Sequence, residues 1–323
     1  MARSDLVVSL VKTGMSGDLP LFVKTAEAIA EEARGRNHYH FADKLASLIN
    51  ETKSEAKQFP NNTASLQNAF YEIYTEKTLS DLIVPDHVLK ACNELIEEHQ
   101  RRDLLRSYNL EPRHRILLSG PPGNGKTTLA EAIANQMMLP LYIVKYEGII
   151  SRYLGETSNQ LDKLFDHVKS RRCILFFDEF DAISKERGDA NDNGEIKRVV
   201  NSLLKQIDNL PSHVIVIGAT NHESMLDKAM WRRFQIQLTL PQPTRAMAIR
   251  WFDAFTSRIG HPLGYAAATL ADKLRGLSFA ELQEFGLDVQ RQYVLGLPES
   301  EKKIKSITKE RLEFWQHRIH VNG

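Results

Sequence analysis

The most informative stretch of this chain is Gly120-Pro121-Pro122-Gly123-Asn124-Gly125-Lys126-Thr127. It matches the Walker A pattern G-x-x-x-x-G-K-[ST] and stands between an apolar run ending at Leu118 and a helix-like run opening at Thr127-Thr128. Glycines let successive backbone N–H groups turn towards phosphate oxygens, and the N-terminus of the following helix adds the positive end of its dipole. We expect Lys126 to reach the β- and γ-phosphates and the Thr127 hydroxyl to bind Mg²⁺. The stretch therefore predicts a site for a nucleoside triphosphate.

A second motif places two adjacent carboxylates after another apolar run. Cys173-Ile174-Leu175-Phe176-Phe177 has the pattern of a buried strand, and Asp178 and Glu179 follow it directly. The chain begins to turn at the end of a strand, so both side chains can face the phosphates. Asp178 is then expected in the Mg²⁺ shell, and Glu179 is expected to orient and polarise the attacking water. A metabolite kinase has no need of the second carboxylate, so the pair favours hydrolysis; the alternative is that both acids only cap the next helix.

Polar residues at the ends of two further runs complete the predicted site. Asn221 follows Val216-Ile217-Gly218-Ala219-Thr220 and could bond the γ-phosphate or the water. Arg232 and Arg233 then precede the last apolar run, Ile236-Gln237-Leu238. An arginine finger accelerates hydrolysis by about 10³–10⁵-fold. A bare arginine pair is more often a solvated face or a carboxylate partner, but its position after Asn221 favours the catalytic interpretation.

Five short apolar runs between about residues 80 and 243 indicate the fold class. They begin near residues 116, 141, 173, 214 and 236, and helix-length amphipathic stretches separate them. Strands buried on both faces have this composition, and strand–helix alternation predicts an α/β fold with a parallel sheet and helices on each side.

The remaining segments have helical periodicity. We predict a helical N-terminal domain over 1–58, a linker over 59–79 and the α/β domain over 80–243. A helical lid over 244–297 and a charged C-terminal helix over 298–323 follow.

Composition narrows the classes of protein. The 323 residues carry 42 Lys+Arg and 41 Asp+Glu, a formal net charge of +1, which argues against a chain built mainly to coat nucleic acid or an anionic membrane. Only two cysteines occur, Cys92 and Cys173, without metal-ligand spacing. We therefore expect no disulfide framework and a reducing cytoplasm. The sequence has no run of about 18 apolar residues and no recognisable targeting segment, so no membrane span is expected.

Together these motifs resemble an AAA+ module of the classical AAA clade, over about residues 80–297. The motifs that carry the resemblance are Gly120–Thr128, Phe177–Asp181, Gly218–Asn221, Leu226–Phe234 and Gly276–Leu282. The resemblance implies a P-loop fold with a five-stranded αβα sandwich and a helical lid, a homo-oligomeric ring (usually a hexamer), and ATP with Mg²⁺.

The resemblance also assigns roles to single residues. It implies that Asn221 is the sensor-1 residue, that Arg232 and Arg233 reach the ATP of the neighbouring subunit, and that the small Ala280 stands where other AAA+ proteins place a sensor arginine. Asn124 stands where Thr is commoner, which should be tolerated because the loop works through its backbone. The Pro-Gly spacer often found between the two arginines is lacking, which leaves open which of them is the principal finger, and we expect both to contribute. The segment Ser80–Val84 occupies the place where family members hold adenine by backbone contacts.

One further segment bears on the client. Arg152, Tyr153 and Leu154, before Gly155, resemble the first pore loop of protein-unfolding AAA rings, where a ring of aromatics grips an extended polypeptide. Tyr153 could instead pack under the lid or at a subunit interface.

The expected function is therefore a cytoplasmic, Mg²⁺-dependent ring ATPase that remodels or threads protein clients. The layout also loosely resembles bacterial AAA ATPases encoded beside subtilisin-like serine proteases, which implies a protease partner. One alternative function is that of a nucleic-acid remodeller or loader. A local cluster of arginines would supply positive charge for nucleic acid: Arg101, Arg102, Arg106, Arg113 and Arg115. The other is a regulatory switch, in which the ATP-bound ring activates an effector enzyme without threading anything.

Overall fold

The computed structural model of the chain describes residues 24–34 (without 27, 31 and 33), 70–73, 75–144, 164–181, 194–226 and 228–322. The chain divides into two compact units, Met1–Ser65 and Leu66–Gly323. In the first unit the described residues are helical, and Ala26, Ile29 and Ala30 are buried at helical spacing.

The second unit is built on a mixed sheet of six strands in the described part of the chain. These strands are β1 (Phe70–Ile73), β2 (Arg115–Ser119), β3 (Leu141–Val144), β4 (Cys173–Phe177), β5 (Val214–Thr220) and β6 (Ile236–Thr239). Their order across the sheet is β1-β3-β4-β5-β2-β6. Strands β2 to β6 pair in parallel, and β1 alone runs antiparallel, with Phe70 opposite Val144.

The five parallel strands are the five runs that the sequence predicts, and the α/β fold class is confirmed. Strand β1 is one strand more than predicted, and it lies within the segment 59–79 that was expected to be a linker. Phe70 and Ile73 are half-buried, whereas Tyr71 and Glu72 between them are both exposed, so the strand lacks the alternating pattern by which a sequence predicts a strand. The strand exists because β3 offers it an edge to pair with.

In the described ranges of this unit, the structure contains the helices α1 (Asp86–Gln100), α2 (Arg102–Ser107), α3 (Lys126–Met137), α4 (Gly194–Asp208), α5 (Lys228–Trp231), α6 (Arg245–Ile259), α7 (Ala267–Lys273), α8 (Phe279–Leu295) and α9 (Ser300–Asn322). Short 3₁₀ turns occupy Leu79–Asp81 and Glu223–Met225, and residues 164–169 are also helical. Within these described ranges, no helix is both long and apolar enough to cross a membrane.

Both faces of the sheet are covered. On one face Leu117, Phe177 and Val216 pack with Phe165 and Leu204 from the covering helices. The other face has its own core, in which Ile116, Leu118 and Phe176 pack with Leu95 of α1 and Ile133 of α3. Burial on both sides explains why the strands read as nearly continuous apolar runs.

Helices α6 to α9 form a third core. It contains Phe252 and Phe255 of α6, Phe285 of α8 and Trp315 of α9, so the predicted C-terminal helix packs into the lid. The lid begins at Thr244, whose hydroxyl caps α6 by accepting a hydrogen bond from the backbone N–H of Met247.

Gly286 tests the packing of this lid. A Cβ added there would lie 2.7 Å from Cζ of Phe255. Alanine normally stabilises a helix by about 1 kcal/mol relative to glycine. We expect Gly286→Ala to lower the free energy of unfolding by about 1–2 kcal/mol instead, because the added methyl overpacks the core. Denaturant unfolding checks this, with the exposed Gln292→Ala of the same helix as control; a gain in stability would contradict the packing.

Candidate active site

The Walker A loop joins the end of β2 to the start of α3. Gly120 has φ +136°, and a Cβ there would lie 2.1 Å from the backbone oxygen of Leu240, so a larger residue would displace the chain beside β6. Gly123 and Gly125 also have positive φ, at +75° and +87°. This backbone path, which glycine adopts without strain, delivers the chain to the N-terminus of α3.

Lys126 is the first residue of α3 and is buried beneath the loop. Its ammonium has three N–H donors, and it meets three acceptors: the backbone oxygens of Gly120 at 2.7 Å and Pro121 at 3.0 Å, and Oδ1 of Asn221 at 2.6 Å. Burial lowers the pKa of Lys126, while the charges of Asp178 and Asp181 act in the opposite direction. A bound phosphate would have to replace at least one of these acceptors.

The paired carboxylates follow β4, whose five residues are all buried. Glu179 has φ +47°, a left-handed conformation that costs a non-glycine residue about 1–2 kcal/mol. The carboxylate of Asp178 accepts the backbone N–H of Glu179 at 2.9 Å and so holds this turn. Side chains that would alternate in a continued strand therefore both line the same cleft.

Asn221 is held at the same edge of the sheet by a buried network. The Thr220 hydroxyl donates to Oδ1 of Asp181 at 3.0 Å and accepts the backbone N–H of His222 at 3.0 Å. Both Thr220 and Asp181 are buried. The network fixes the end of β5, and with it the amide that contacts Lys126.

Two oxygen donors suit a magnesium ion. The Thr127 hydroxyl lies 3.5 Å from Oδ2 of Asp178, at the cleft. Mg²⁺ prefers oxygen ligands and usually takes one or two protein groups, with waters and substrate phosphates in the other positions. The donor set therefore fits the ion that the sequence predicts.

The start of α8 meets the Walker A loop. The backbone N–H of Ala280 donates to the Gly123 oxygen at 3.0 Å, and that of Phe279 donates to Oδ1 of Asn124 at 3.3 Å. The Asn124 side chain is buried, and its amide also lies 3.4 Å from the Pro121 oxygen. The expectation that only the loop backbone matters at position 124 was therefore incomplete, because this side chain connects the loop to the lid.

A cleft of about 630 Å³ between the sheet and the lid is lined by residues 123–127, Asp178, Glu179 and Asn221. Pro122, Thr128 and Ala280 line it together with the residues above. Leu82, Ile83 and Val84 also line it, as expected if the segment Ser80–Val84 receives the base.

The two arginines lie elsewhere. Gln235 lies two residues after Arg233, and its backbone N–H donates a hydrogen bond to the backbone oxygen of Arg115, the first residue of β2. The Walker A loop begins after Ser119, the last residue of β2, so roughly 13 Å of strand separates the two features. Arg232 and Arg233 therefore lie at the edge of the sheet opposite their own cleft.

A family model described as "ATPase family associated with various cellular activities (AAA)" matches residues 116–242. A protein of Sinorhizobium fredii named "Uncharacterized AAA family ATPase y4kL" is 34% identical over 291 residues, which cover 88% of this chain and 87% of that protein. The chain belongs to the AAA family of ATPases.

One further relative and one solved structure are similar to this AAA protein. A "Putative 26S proteasome regulatory subunit homolog" of Methanothermobacter thermautotrophicus is 30% identical over 201 residues, which cover 60% of this chain and 53% of that protein. The crystal structure of the FIGL-1 AAA domain has a TM-score of 0.62 at 20% identity, over 80% of this chain and 90% of that one. The second similarity supports the fold.

Some residues of the AAA site were not predicted. The sequence predicts no role for Asp181, because its contact with Thr220 depends on the order of the strands. A signal did exist for the start of α8: Ser278 and Glu281 have the spacing of a capping box, and the structure contains one. The predicted pore loop, Arg152, Tyr153 and Leu154, lies outside the described residues.

Asn124 offers a test of the contact between loop and lid. Asn124→Ala removes a buried acceptor and donor, so we expect the free energy of unfolding to fall by about 1–2 kcal/mol. ATP binding should persist, because we expect backbone groups of the loop and Lys126 to hold the phosphates. Denaturant unfolding and nucleotide titration measure the two effects, with the exposed Asn209→Ala as control. Unchanged stability would show that the side chain does not hold the lid.

Proposed function

We propose that this AAA protein hydrolyses ATP to ADP and phosphate with Mg²⁺, as a ring of identical subunits that remodels or threads protein clients. The observation that supports hydrolysis most directly is the convergence on one cleft of a phosphate-binding loop, an adjacent pair of carboxylates and a polar sensor. Glu179 stands beside Asp178 in a strained left-handed turn, and backbone strain of this kind is concentrated at functional sites. Nucleotide binding alone would not require this second carboxylate.

The loop and Lys126 would hold the triphosphate. Backbone N–H groups of Gly123, Gly125 and Lys126 are available where the loop leads into α3. Lys126 would exchange one of its three present acceptors for a phosphate oxygen. Burial lowers the pKa of Lys126. The negative charge of a bound phosphate would act in the opposite direction and favour the protonated ammonium.

Glu179 would act on the water. Its carboxylate would accept a proton as the water oxygen attacks the γ-phosphorus, and the bond to the oxygen shared with the β-phosphate would break. Asn221, within reach of Lys126, would bond the γ-phosphate or the water.

Thr127 and Asp178 would hold Mg²⁺, Asp178 through a water molecule. When bound, the ion neutralises charge that develops on the phosphate oxygens.

The position of Arg232 and Arg233 supports the proposed ring of subunits. They lie opposite their own cleft, so this end of the subunit would supply charge to the ATP of a neighbouring subunit. A contact between one edge of a subunit and the opposite edge of the next is head-to-tail, and such contacts close into rings when the rotation permits. We propose a hexamer on the family resemblance.

The client class rests on relatives and on the sequence. One relative is named as a proteasome regulatory subunit homolog, and Tyr153 with its neighbours has the composition of a gripping pore loop. We propose proteins as clients, a subtilisin-like protease as partner and the cytoplasm as location. Buried Cys92 and Cys173, each with its pKa raised by burial to about 12, suit a reducing compartment.

Two substitutions separate binding from hydrolysis. Glu179→Gln should bind ATP with nearly normal affinity but lower kcat about 10²–10⁴-fold, because the amide cannot accept the proton. Lys126→Ala should weaken ATP binding roughly tenfold or more, because a charged hydrogen bond to phosphate is lost. Phosphate release and titration with a fluorescent ATP analogue measure both. The exposed Glu223→Gln is the control, and wild-type kcat in Glu179→Gln would refute the role of Glu179.

The client class is tested with the Glu179→Gln variant held in ATP. Incubated with a permanently unfolded protein, it should retain that protein through gel filtration. Adding Tyr153→Ala should lower the retained amount several-fold, whereas Tyr153→Phe keeps the aromatic ring and should not. Equal retention by all three variants would contradict threading. Preferential retention of DNA through salt and nuclease washes would favour the nucleic-acid remodeller.

A further inference from the structure

The two adjacent arginines have different surroundings. Arg232 is exposed, and among the described residues it takes part in no hydrogen bond or ion pair. Arg233 has a side chain only 29% exposed, and its Nε donates to Oδ2 of Asp208 at 2.9 Å. The sequence does not distinguish the two arginines, but their exposure and contacts in the structure differ.

Asp208 pairs with a second arginine besides Arg233. It is the last residue of α4, and its other oxygen, Oδ1, accepts Nη1 of Arg115 at 3.0 Å. Arg115 is the first residue of β2 and its side chain is 21% exposed. One carboxylate therefore ties the guanidinium of Arg233 to the edge of the sheet, in a partly desolvated place where ion pairs are stronger than at the open surface.

Contacts on both sides of Arg232 also hold its backbone in place. Phe234 is buried, and its ring packs edge-on against Phe180 at 5.3 Å, in space that Gly218 leaves free. On the other side, Nε2 of Gln237 donates to the backbone oxygen of Trp231 at 2.9 Å. The turn is thus held on both sides, while the Arg232 side chain is available for another molecule.

We propose that Arg232 is the catalytic arginine that touches the neighbouring subunit's ATP, and that Arg233 is a positioning residue held by Asp208 and Arg115. This division rests on the proposed function, since it requires hydrolysis shared between subunits. The Arg232 guanidinium stabilises the charge on the γ-phosphoryl oxygens while water adds to phosphorus and the ADP oxygen leaves. It forms no covalent bond.

The alternative assignment is chemically less favourable. For Arg233 to reach a phosphate it must release Asp208, which leaves a carboxylate beside the polyanion that the arginine would serve. Arg232 releases no ion pair in the described structure. Its planar fork suits two phosphate oxygens, which lysine cannot match.

The first test compares alanine and lysine at each position. Arg232→Ala should lower kcat about 10³-fold with little change in KM for ATP, and Arg232→Lys should not rescue it. Arg233→Ala should lower kcat about tenfold, and Arg233→Lys should recover most of that loss, because an ammonium can still pair with Asp208. The exposed Arg250→Ala is the control. The reverse pattern, with lysine rescuing position 232 and failing at 233, overturns the division.

A second test concerns Asp208. Asp208→Asn weakens the ion pair, so it should lower kcat as Arg233→Ala does. The double variant should be no worse than the poorer single variant, because both changes remove the same contact. Additive losses would mean that Asp208 does not act through Arg233. Thermal unfolding and mass measurement in ATP confirm that each variant folds and assembles like the wild type.

A mixing experiment separates the division of roles from the proposed function itself. Glu179→Gln subunits have intact arginines, and Arg232→Ala subunits have intact carboxylates. Mixed rings should regain turnover, because the first kind supplies arginine to the sites of the second. If mixing never restores activity, shared hydrolysis is wrong. If mixing restores activity but lysine rescues position 232, only the division is wrong.

Discussion

The parallel arrangement of β2, β4 and β5 is the constraint on which the site depends. The carboxyl ends of parallel strands meet at one edge of a sheet, so the Walker A loop, the Asp178–Glu179 pair and Asn221 come together although about a hundred residues separate the first from the last. The hydrogen bond from Lys126 to Asn221, at 2.6 Å, joins the ends of this arrangement. An antiparallel sheet would have placed alternate strand ends on opposite sides.

The same constraint accounts for the position of the arginines. Strand β6 is parallel to β2, so the turn before β6 must lie at the edge where β2 begins. Arg232 and Arg233 are therefore kept from their own cleft by topology, whatever their rotamers. Phe234 links this edge back to the cleft, since its ring packs on Phe180, the residue after Glu179. In the proposed ring, each subunit would thus carry a nucleotide cleft and, one strand length away, positive charge suited to the cleft of a neighbour.

Hydrogen bonds from the start of α8 join the lid to the Walker A loop. Ala280 and Phe279 meet the Walker A loop through backbone N–H groups, and the buried Asn124 side chain supplies one of the acceptors. Sequence reasoning treated Asn124 as a tolerated exception to the family pattern. Its importance depends on the start of α8 lying against the loop, and no local pattern in the sequence gives that distance.

The sequence alone could predict the five parallel strands and the Walker A, carboxylate and Asn221 residues that line the cleft. It could do so because buried strands have continuous apolar runs, and because phosphate binding demands glycines, a lysine and a hydroxyl at fixed spacing. Tertiary structure alone decided the antiparallel strand β1, the network of Asp181 with Thr220, and the contrast between Arg232 and Arg233. Each of these depends on a contact between residues far apart in the chain, as when α4 brings Asp208 to one arginine and leaves the other exposed.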